Sequence, residues 1–245
     1  MPAAGSEETD DGLIADQRTY YARRAPEYDE WWQRQGRYDR GVEAQQEWDA
    51  QVETVAQALA AFDASGDVLE LAGGTGWWSA RLAATAGHLT VVDASPETLA
   101  LNRSRVGERT NVRYVVADLF DWTPERTFDV VFFSFWLSHV PRERFGAFWE
   151  LVGRCTGSLG RVFFIDSRGT ETFPLVEPHL EGERGDVQQR TLNDGSSHRV
   201  VKIFYEPAEL TRRLAEEGWD ASVEGTPLFI YGSARPLGVA GAAAS

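Results

Sequence analysis

Between residues 67 and 165 short apolar runs alternate with helical stretches, and this alternation limits the fold more than any other feature of the chain. Asp67 to Leu71, Leu89 to Val92, Val112 to Val116, Phe128 to Phe133 and Arg161 to Ile165 read as strands. Trp77 to Ala84, Pro96 to Arg105 and Arg142 to Cys155 read as helices between them. Continuously apolar strands joined through helices predict an α/β fold with a mostly parallel sheet covered on both faces. Upstream, Asp16 to Trp32 and Gly41 to Phe62 read as helices, the second with Trp48, Val52, Val55, Ala56 and Leu59 at helical spacing.

After Asp166 the alternation breaks. Val187 to Leu192 and His198 to Phe204 flank Asn193-Asp194-Gly195, a strong turn signal, so 167–206 reads as an insertion after the fifth strand that carries a β-hairpin. A helix, Pro207 to Glu217, and two strands, Trp219 to Val223 and Leu228 to Ala234, close the chain. The short Gly225-Thr226-Pro227 link suits an antiparallel pair. The polar segment 1–12 and the Gly- and Ala-rich segment 236–245 are expected to be flexible, which leaves 13–235 as one domain.

The 38 acidic and 24 basic residues give a net charge of −14, which argues against a nucleic-acid backbone or an anionic membrane as partner. No apolar run approaches the ~20 residues that span a bilayer, and the acidic start lacks the basic region of a signal peptide. A cytoplasmic protein with a small-molecule substrate is expected, with a homodimer left open. The single cysteine, Cys155, lies in an amphipathic stretch and reads as a buried, inert thiol. No His, Cys or carboxylate cluster has metal-ligand spacing, so no metal is expected.

The first strand runs into Glu70-Leu71-Ala72-Gly73-Gly74-Thr75-Gly76 and then a helix. A glycine-rich strand-to-helix turn lets a ligand approach the backbone and presents amides at the positive helix end. The glycines do not fit the GxGxxG spacing of a dinucleotide site, and Glu70 suits a positively charged ligand better than a pyrophosphate. A nicotinamide-dependent oxidoreductase is therefore the weaker reading. Asp93, at the end of the second strand, can accept bonds from both ribose hydroxyls. After the third strand, Asp118 can accept from an adenine amino group, with Leu119 or Phe120 against the ring.

The segments Val68 to Gly76, Val92-Asp93 and Ala117-Asp118 resemble motifs I to III of the class I S-adenosylmethionine (SAM) dependent methyltransferases, over roughly residues 13–235. That resemblance implies a Rossmann-like sheet of seven strands, the last antiparallel, and SAM as cofactor with S-adenosylhomocysteine (SAH) as product. It implies a cofactor site of Glu70, Ala72, Gly73, Gly74, Gly76, Trp78, Asp93, Ala94, Asp118, Leu119, Phe120 and Ser134. Ala72 stands where glycine is usual, which an ordinary backbone angle would tolerate. The N-terminal helices, 13–62, look like the lid of these enzymes. Within Tyr20 to Asp29 the resemblance puts Tyr20 near the sulfonium, with a catalytic role, and Arg24 or Tyr28 toward the methionine end.

A narrower resemblance is to the phosphonate O-methyltransferase of dehydrophos biosynthesis. It is carried by Asp118 to Pro124, Phe132 to Pro141 and Arg190 to Gly195 through Lys202. It implies antibiotic or other natural-product biosynthesis, with Arg190 and Lys202 of the hairpin binding an anionic substrate and Tyr38 as a third contact. His139, after the fourth strand, is expected at the acceptor as a base or a binding residue. The expected reaction is O-methylation of a small phosphonate or carboxylate. N- or C-methylation of a larger neutral or amine-bearing product, and SAM binding without catalysis, stay open. The stretch from Ser167 to Gln189 shows no legible chemistry.

Overall fold

The computed structural model describes residues 7–169, 180–181 and 185–238. Most of the two ends expected to be flexible lies outside these residues. Where they are described, the first helix already begins at Glu7 and the last strand runs to Pro236.

Seven strands form the main sheet: β1 (Asp67–Leu71), β2 (His88–Asp93), β3 (Val112–Val116), β4 (Val130–Ser134), β5 (Arg161–Ser167), β9 (Trp219–Gly225) and β10 (Phe229–Pro236). Their order is β3-β2-β1-β4-β5-β10-β9. All neighbours among β1 to β5 pair in parallel, whereas β10 is antiparallel to both β5 and β9, as the short link at Gly225 to Pro227 anticipates. Among the described residues the longer helices after the first two are α3 (Val42–Phe62), α4 (Ser79–Thr85), α5 (Pro96–Val106), α6 (Phe145–Thr156) and α7 (Pro207–Glu216); α3, expected as part of the lid, packs on the sheet instead.

The strand side chains alternate between two cores. Val131 and Phe133 of β4 pack with Trp149 and Val152 of α6 and Leu210 and Leu214 of α7. Val130 and Phe132 pack on the other face with Val55 and Leu59 of α3, Leu82 of α4 and Leu99 of α5. Both phenylalanines are fully buried, and truncating either to alanine costs about 3–5 kcal/mol. Helix α5 starts sharply because Ser95 accepts a bond from the Thr98 amide at 3.0 Å and Pro96 occupies the first turn.

Two expectations need correction. The helix expected over Asp16 to Trp32 is broken: α1 spans Glu7–Arg24, a single 3-10 turn covers Ala25–Glu27, and α2 covers Tyr28–Trp32. Pro26 removes an amide and restricts Ala25, which ends α1 there. The inserted hairpin, β7 (Val187–Thr191) and β8 (Ser197–Val201), carries a third short strand, β6 (Leu180–Glu181), on its β7 edge. α1 packs along β8, so the lid and the insertion close over the carboxyl ends of the parallel strands together.

Candidate active site

The glycine turn between β1 and α4 is shaped from behind. A Cβ on Gly73 would lie 2.2 Å from Val91 Cγ1, and one on Gly76, where φ is +93°, 2.9 Å from the Asn102 Cα. Only glycine lets the turn seat this close to β2 and α5. Asn102 Nδ2 lies 3.1 Å from both the Gly73 and Gly74 carbonyls and 2.7 Å from Ser79 Oγ, which donates to Glu70 Oε2 at 2.5 Å. Burial pushes the Glu70 carboxyl up to about 8, so near pH 7 it is neutral. Glu70 therefore braces the turn from inside and does not supply charge to a ligand, contrary to the sequence reading.

Ala72 adopts φ +51°, in the left-handed region. The ordinary angle expected for it is not what the turn needs, and the alanine holds a strained conformation beside the site. Gly74 N and Ser95 N donate to the two carboxylate oxygens of Asp93, each at 3.0 Å. Burial raises the Asp93 pKa while amides of Ser95, Gly74 and Ala94 oppose that rise.

These groups open onto a cavity of 390 Å³. Ala72, Gly74, Asp93, Ala94 and Ser134 line it on one side, Asp118, Leu119 and Phe120 at one end, and Arg18, Tyr21, Ala22, Ala25 and Tyr28 of the lid above. Gly73, Gly76 and Trp78 border a small adjoining space with Tyr28 and Ser134. The donor set fits SAM: a buried carboxylate for the ribose, an acceptor beside apolar side chains for adenine, and glycine amides along the turn. Asp118 accepts from the Phe120 amide at 2.9 Å and pairs with Arg18, a lid residue the sequence reading did not single out.

The lid is fastened to the turn by Asp29. Its Oδ1 accepts from Thr75 Oγ1 and Trp77 Nε1, both at 2.9 Å, and Arg105 pairs with its other oxygen. Burial works to raise the Asp29 pKa, but the bonds from Arg105, Trp77 and Thr75 win and hold it below its usual range.

Tyr20 does not reach the cavity. It is buried against Leu192 and Val200 of the insertion, and the residue on the cavity wall is its neighbour Tyr21. One residue along a helix turns the side chain by about 100°, and α1 has too weak an apolar stripe for sequence to say which tyrosine faces in. The Tyr21 hydroxyl lies 2.7 Å from His139 Nε2. His139, in a 3-10 turn spanning Leu137–His139, has Nδ1 2.6 Å from the Val201 carbonyl. A carbonyl only accepts, so Nδ1 carries the proton and Nε2 takes the bond from Tyr21. Burial, Lys202 and Arg190 push the His139 pKa well below its usual value, so the ring is neutral.

A second, smaller cavity shares Tyr21, Tyr28, Phe135 and His139 with the first, and Arg24, Arg190 and Lys202 converge on it. All three cations are at least 96% buried, with relative exposures of 4%, 2% and 4%. Lys202 Nζ donates to Ser138 Oγ at 2.9 Å and lies 3.7 Å from Asp166 Oδ1. The register pairs Arg190 with His198, so Arg190 and Lys202 share a face of the hairpin without being cross-strand partners. Arg24, which with Tyr28 was expected toward the methionine end of the cofactor, lines this second cavity beside the hairpin cations, and Tyr28 lines both cavities. Tyr38 is buried and accepts from Arg24 Nη2 at 3.4 Å, so it acts behind Arg24 and does not line the cavity. Sequence reading also missed Phe135, which lines both cavities at φ +53°. Cys155 is buried with its thiol pushed up to about 12, as an inert core residue.

Residues 68–160 match a family model described as a methyltransferase domain. The chain is similar to the demethylmenaquinone methyltransferase of Clavibacter sepedonicus, 35% identical over 110 residues, a stretch covering 44% of each chain and so less than half of that relative. It is similar along nearly its full length to DhpI, solved in complex with SAH (TM-score 0.74) and with SAM and HEP (TM-score 0.76). Both are 41% identical, covering 92% of this chain and 97% and 98% of those chains. With the buried Asp93, the glycine turn and the sheet order already in place, this full-length likeness shows that the chain belongs to the SAM-dependent methyltransferases.

Proposed function

We propose that the protein methylates an oxygen of a small anionic acceptor, a phosphonate or a carboxylate, in the biosynthesis of a natural product. The observation that carries this reading is the convergence of Arg24, Arg190 and Lys202, all buried, on a cavity that shares four wall residues with the cofactor cavity. Two guanidinium groups and an ammonium on one small wall set up a positive field, which favours an anionic acceptor at the point where the two cavities meet. The likeness to DhpI, seen with SAM and HEP, supports a small acceptor. Residues 13–235 would form the working unit, in the cytoplasm.

Bound SAM supplies an electrophilic methyl group on a sulfonium. An oxyanion acceptor attacks without losing a proton, so no general base is needed, which agrees with His139 being already bonded at both ring nitrogens. The arginine fork at Arg190 and the Lys202 ammonium fix the acceptor. Tyr21 and Phe135 flank the path between the cavities, and the lid excludes water, so catalysis is mainly alignment. The test is a turnover screen with SAM against alkylphosphonates, carboxylates and neutral alcohols of similar size. Turnover of a phosphonate or carboxylate is the expected result; a neutral acceptor used as well, at a rate untouched by Lys202→Met, would discard the anionic acceptor and leave the methyltransferase.

A further inference from the structure

One polar side chain in the cavity wall joins three parts of the site. Gln17 lies on α1 one turn before Tyr21, so both face the same way. Its side chain is 2% exposed. Its Nε2 donates to the His139 carbonyl at 3.1 Å, and its Oε1 accepts from the Val201 amide at 2.9 Å. The Val201 carbonyl is in turn the acceptor that holds His139 Nδ1. Lys202 follows Val201, and its Nζ returns to Ser138, the residue before His139. The bonds thus form a closed ring through the lid, the His139 turn and the strand that presents Lys202.

We propose that Gln17 is a positioning residue for methyl transfer, whose side-chain amide holds the lid, the His139 turn and the substrate hairpin in one arrangement. The chemistry demands this residue type. His139 offers a carbonyl and Val201 an N–H, so the bridging group must donate on one side and accept on the other within a single planar unit. Methionine matches its length and does neither. An ionised glutamate accepts on both sides and repels the His139 carbonyl. A protonated glutamic acid, however, donates through O–H and accepts through C=O, and so restores both bonds. Because the bridge is buried, losing it leaves two backbone groups without partners and lets the three elements shift relative to one another. The Tyr21–His139 bond and the direction of Lys202 then drift together. Misplacement of this kind lowers the transfer rate by up to about a hundredfold without touching the groups that hold SAM.

The kinetic part rests on the methyl-transfer reading, so the test has one arm that does not. The full-length protein is labelled with ¹⁵N, and the His139 ring is followed in the wild type, Gln17→Met and Gln17→Glu. The wild type is expected to show one neutral Nδ1-protonated tautomer, and folded Gln17→Met an averaged pair. With ethylphosphonate as acceptor at saturating SAM, kcat of Gln17→Met is expected to fall ten- to a hundredfold, with SAM affinity by calorimetry unchanged. For Gln17→Glu, the ratio of its kcat to that of the wild type should rise between pH 8 and pH 5 as the new carboxyl gains its proton. Titratable and charged groups on the elements packed against it include Asp16, Arg18, Tyr20, Tyr21, Arg23 and Arg24 of α1, His139 of its turn, and Arg190, Asp194, His198, Arg199 and Lys202 of the hairpin. Their wild-type titration cancels in the ratio.

A wild-type ring spectrum and rate in folded Gln17→Met would overturn the proposal. So would a Gln17→Glu ratio equal at the two pH values, which also decides the matter should Gln17→Met not fold. If the wild type turns over neither ethylphosphonate nor any other anionic acceptor of the screen, the acceptor reading fails while the ring spectra still judge Gln17.

Discussion

The Tyr21 hydroxyl donates to His139 Nε2 at 2.7 Å, across the boundary between the cofactor cavity and the cationic cavity. Burial pushes the Tyr21 phenol far above its ordinary value and pulls the His139 imidazole well below its own, so the pair stays neutral at working pH. With its proton committed to His139, the Tyr21 oxygen is expected to serve as an acceptor on the cavity wall, a favourable neighbour for the positive charge of SAM. Tyr21→Phe is expected to lower kcat about tenfold, the worth of a hydrogen bond of about 1.4 kcal/mol in the transition state. Tyr20→Phe, whose ring packs on Leu192 and Val200 off the cavity wall, is expected to leave kcat unchanged. The opposite ranking in steady-state assays would return the role to Tyr20.

Asp93 makes SAM binding depend on pH. Its pKa is raised by burial, so protonation begins at a higher pH than for an exposed aspartate. The protonated acid accepts poorly from the ribose hydroxyls and from Gly74 N. Affinity is therefore expected to weaken on acidification, and to begin doing so at a higher pH than an exposed aspartate would dictate. Calorimetry between pH 8 and pH 5 reads this directly. Asp93→Ala should weaken binding at every pH while the protein stays folded; an unchanged affinity would remove Asp93 from the cofactor site.

Lys202 and Arg190 are expected to act on the acceptor alone. One charge-assisted hydrogen bond contributes about 1.5–3 kcal/mol, so Lys202→Met should lower kcat/KM roughly ten- to a hundredfold. SAM affinity should be unchanged, because Lys202 lies on the wall of the second cavity and not of the first. Parallel kinetics and calorimetry separate the two effects.

Glu70 has a stability signature of the opposite sign to most carboxylates. Its folded pKa of about 8 lies above the unfolded value of 4.5, so the folded state holds a proton that the unfolded chain has lost. Stability from this group is complete below pH 4.5 and falls as pH rises toward 8. Glu70→Gln, which keeps an acceptor for Ser79, should flatten the decline and raise Tm at pH 8. Melting curves at pH 5 and pH 8 check it: an equal slope in both proteins would mean that Glu70 is ionised in the fold.

Ala72 holds a left-handed angle that costs an L-residue about 1–2 kcal/mol. Ala72→Gly removes that cost and adds some unfolded-chain entropy. A net gain of about 1 kcal/mol, or a Tm higher by about 2–4 °C, is expected. A lower Tm would show that the Ala72 methyl is held by favourable packing in the turn.

The strands and glycine turn were legible because their signals are local. Runs such as Val130 to Ser134 are apolar on both faces, and a strand with both faces buried has few alternatives. Asp93 and Asp118 could be placed because the first ends its strand and the second lies two residues beyond its own, and the sheet brings strand ends together. Glu70 shows the limit: its position beside the turn is local, but its protonation depends on burial, which sequence does not state.

The lid depended on contacts far apart in the chain. Tyr21 faces His139 only because α1 lies along β8, and Gln17 selects that rotation by bonds to residues more than a hundred positions away. Arg24, adjacent in sequence to a cofactor-facing segment, is turned by its helix toward Arg190 and Lys202. The sequence by itself determined the sheet, the cofactor turn and the presence of cations in the hairpin. Only the tertiary structure decided which tyrosine, which arginine and which protonation states meet at the reaction centre, because a helix's rotation and a group's burial are set by what packs against it.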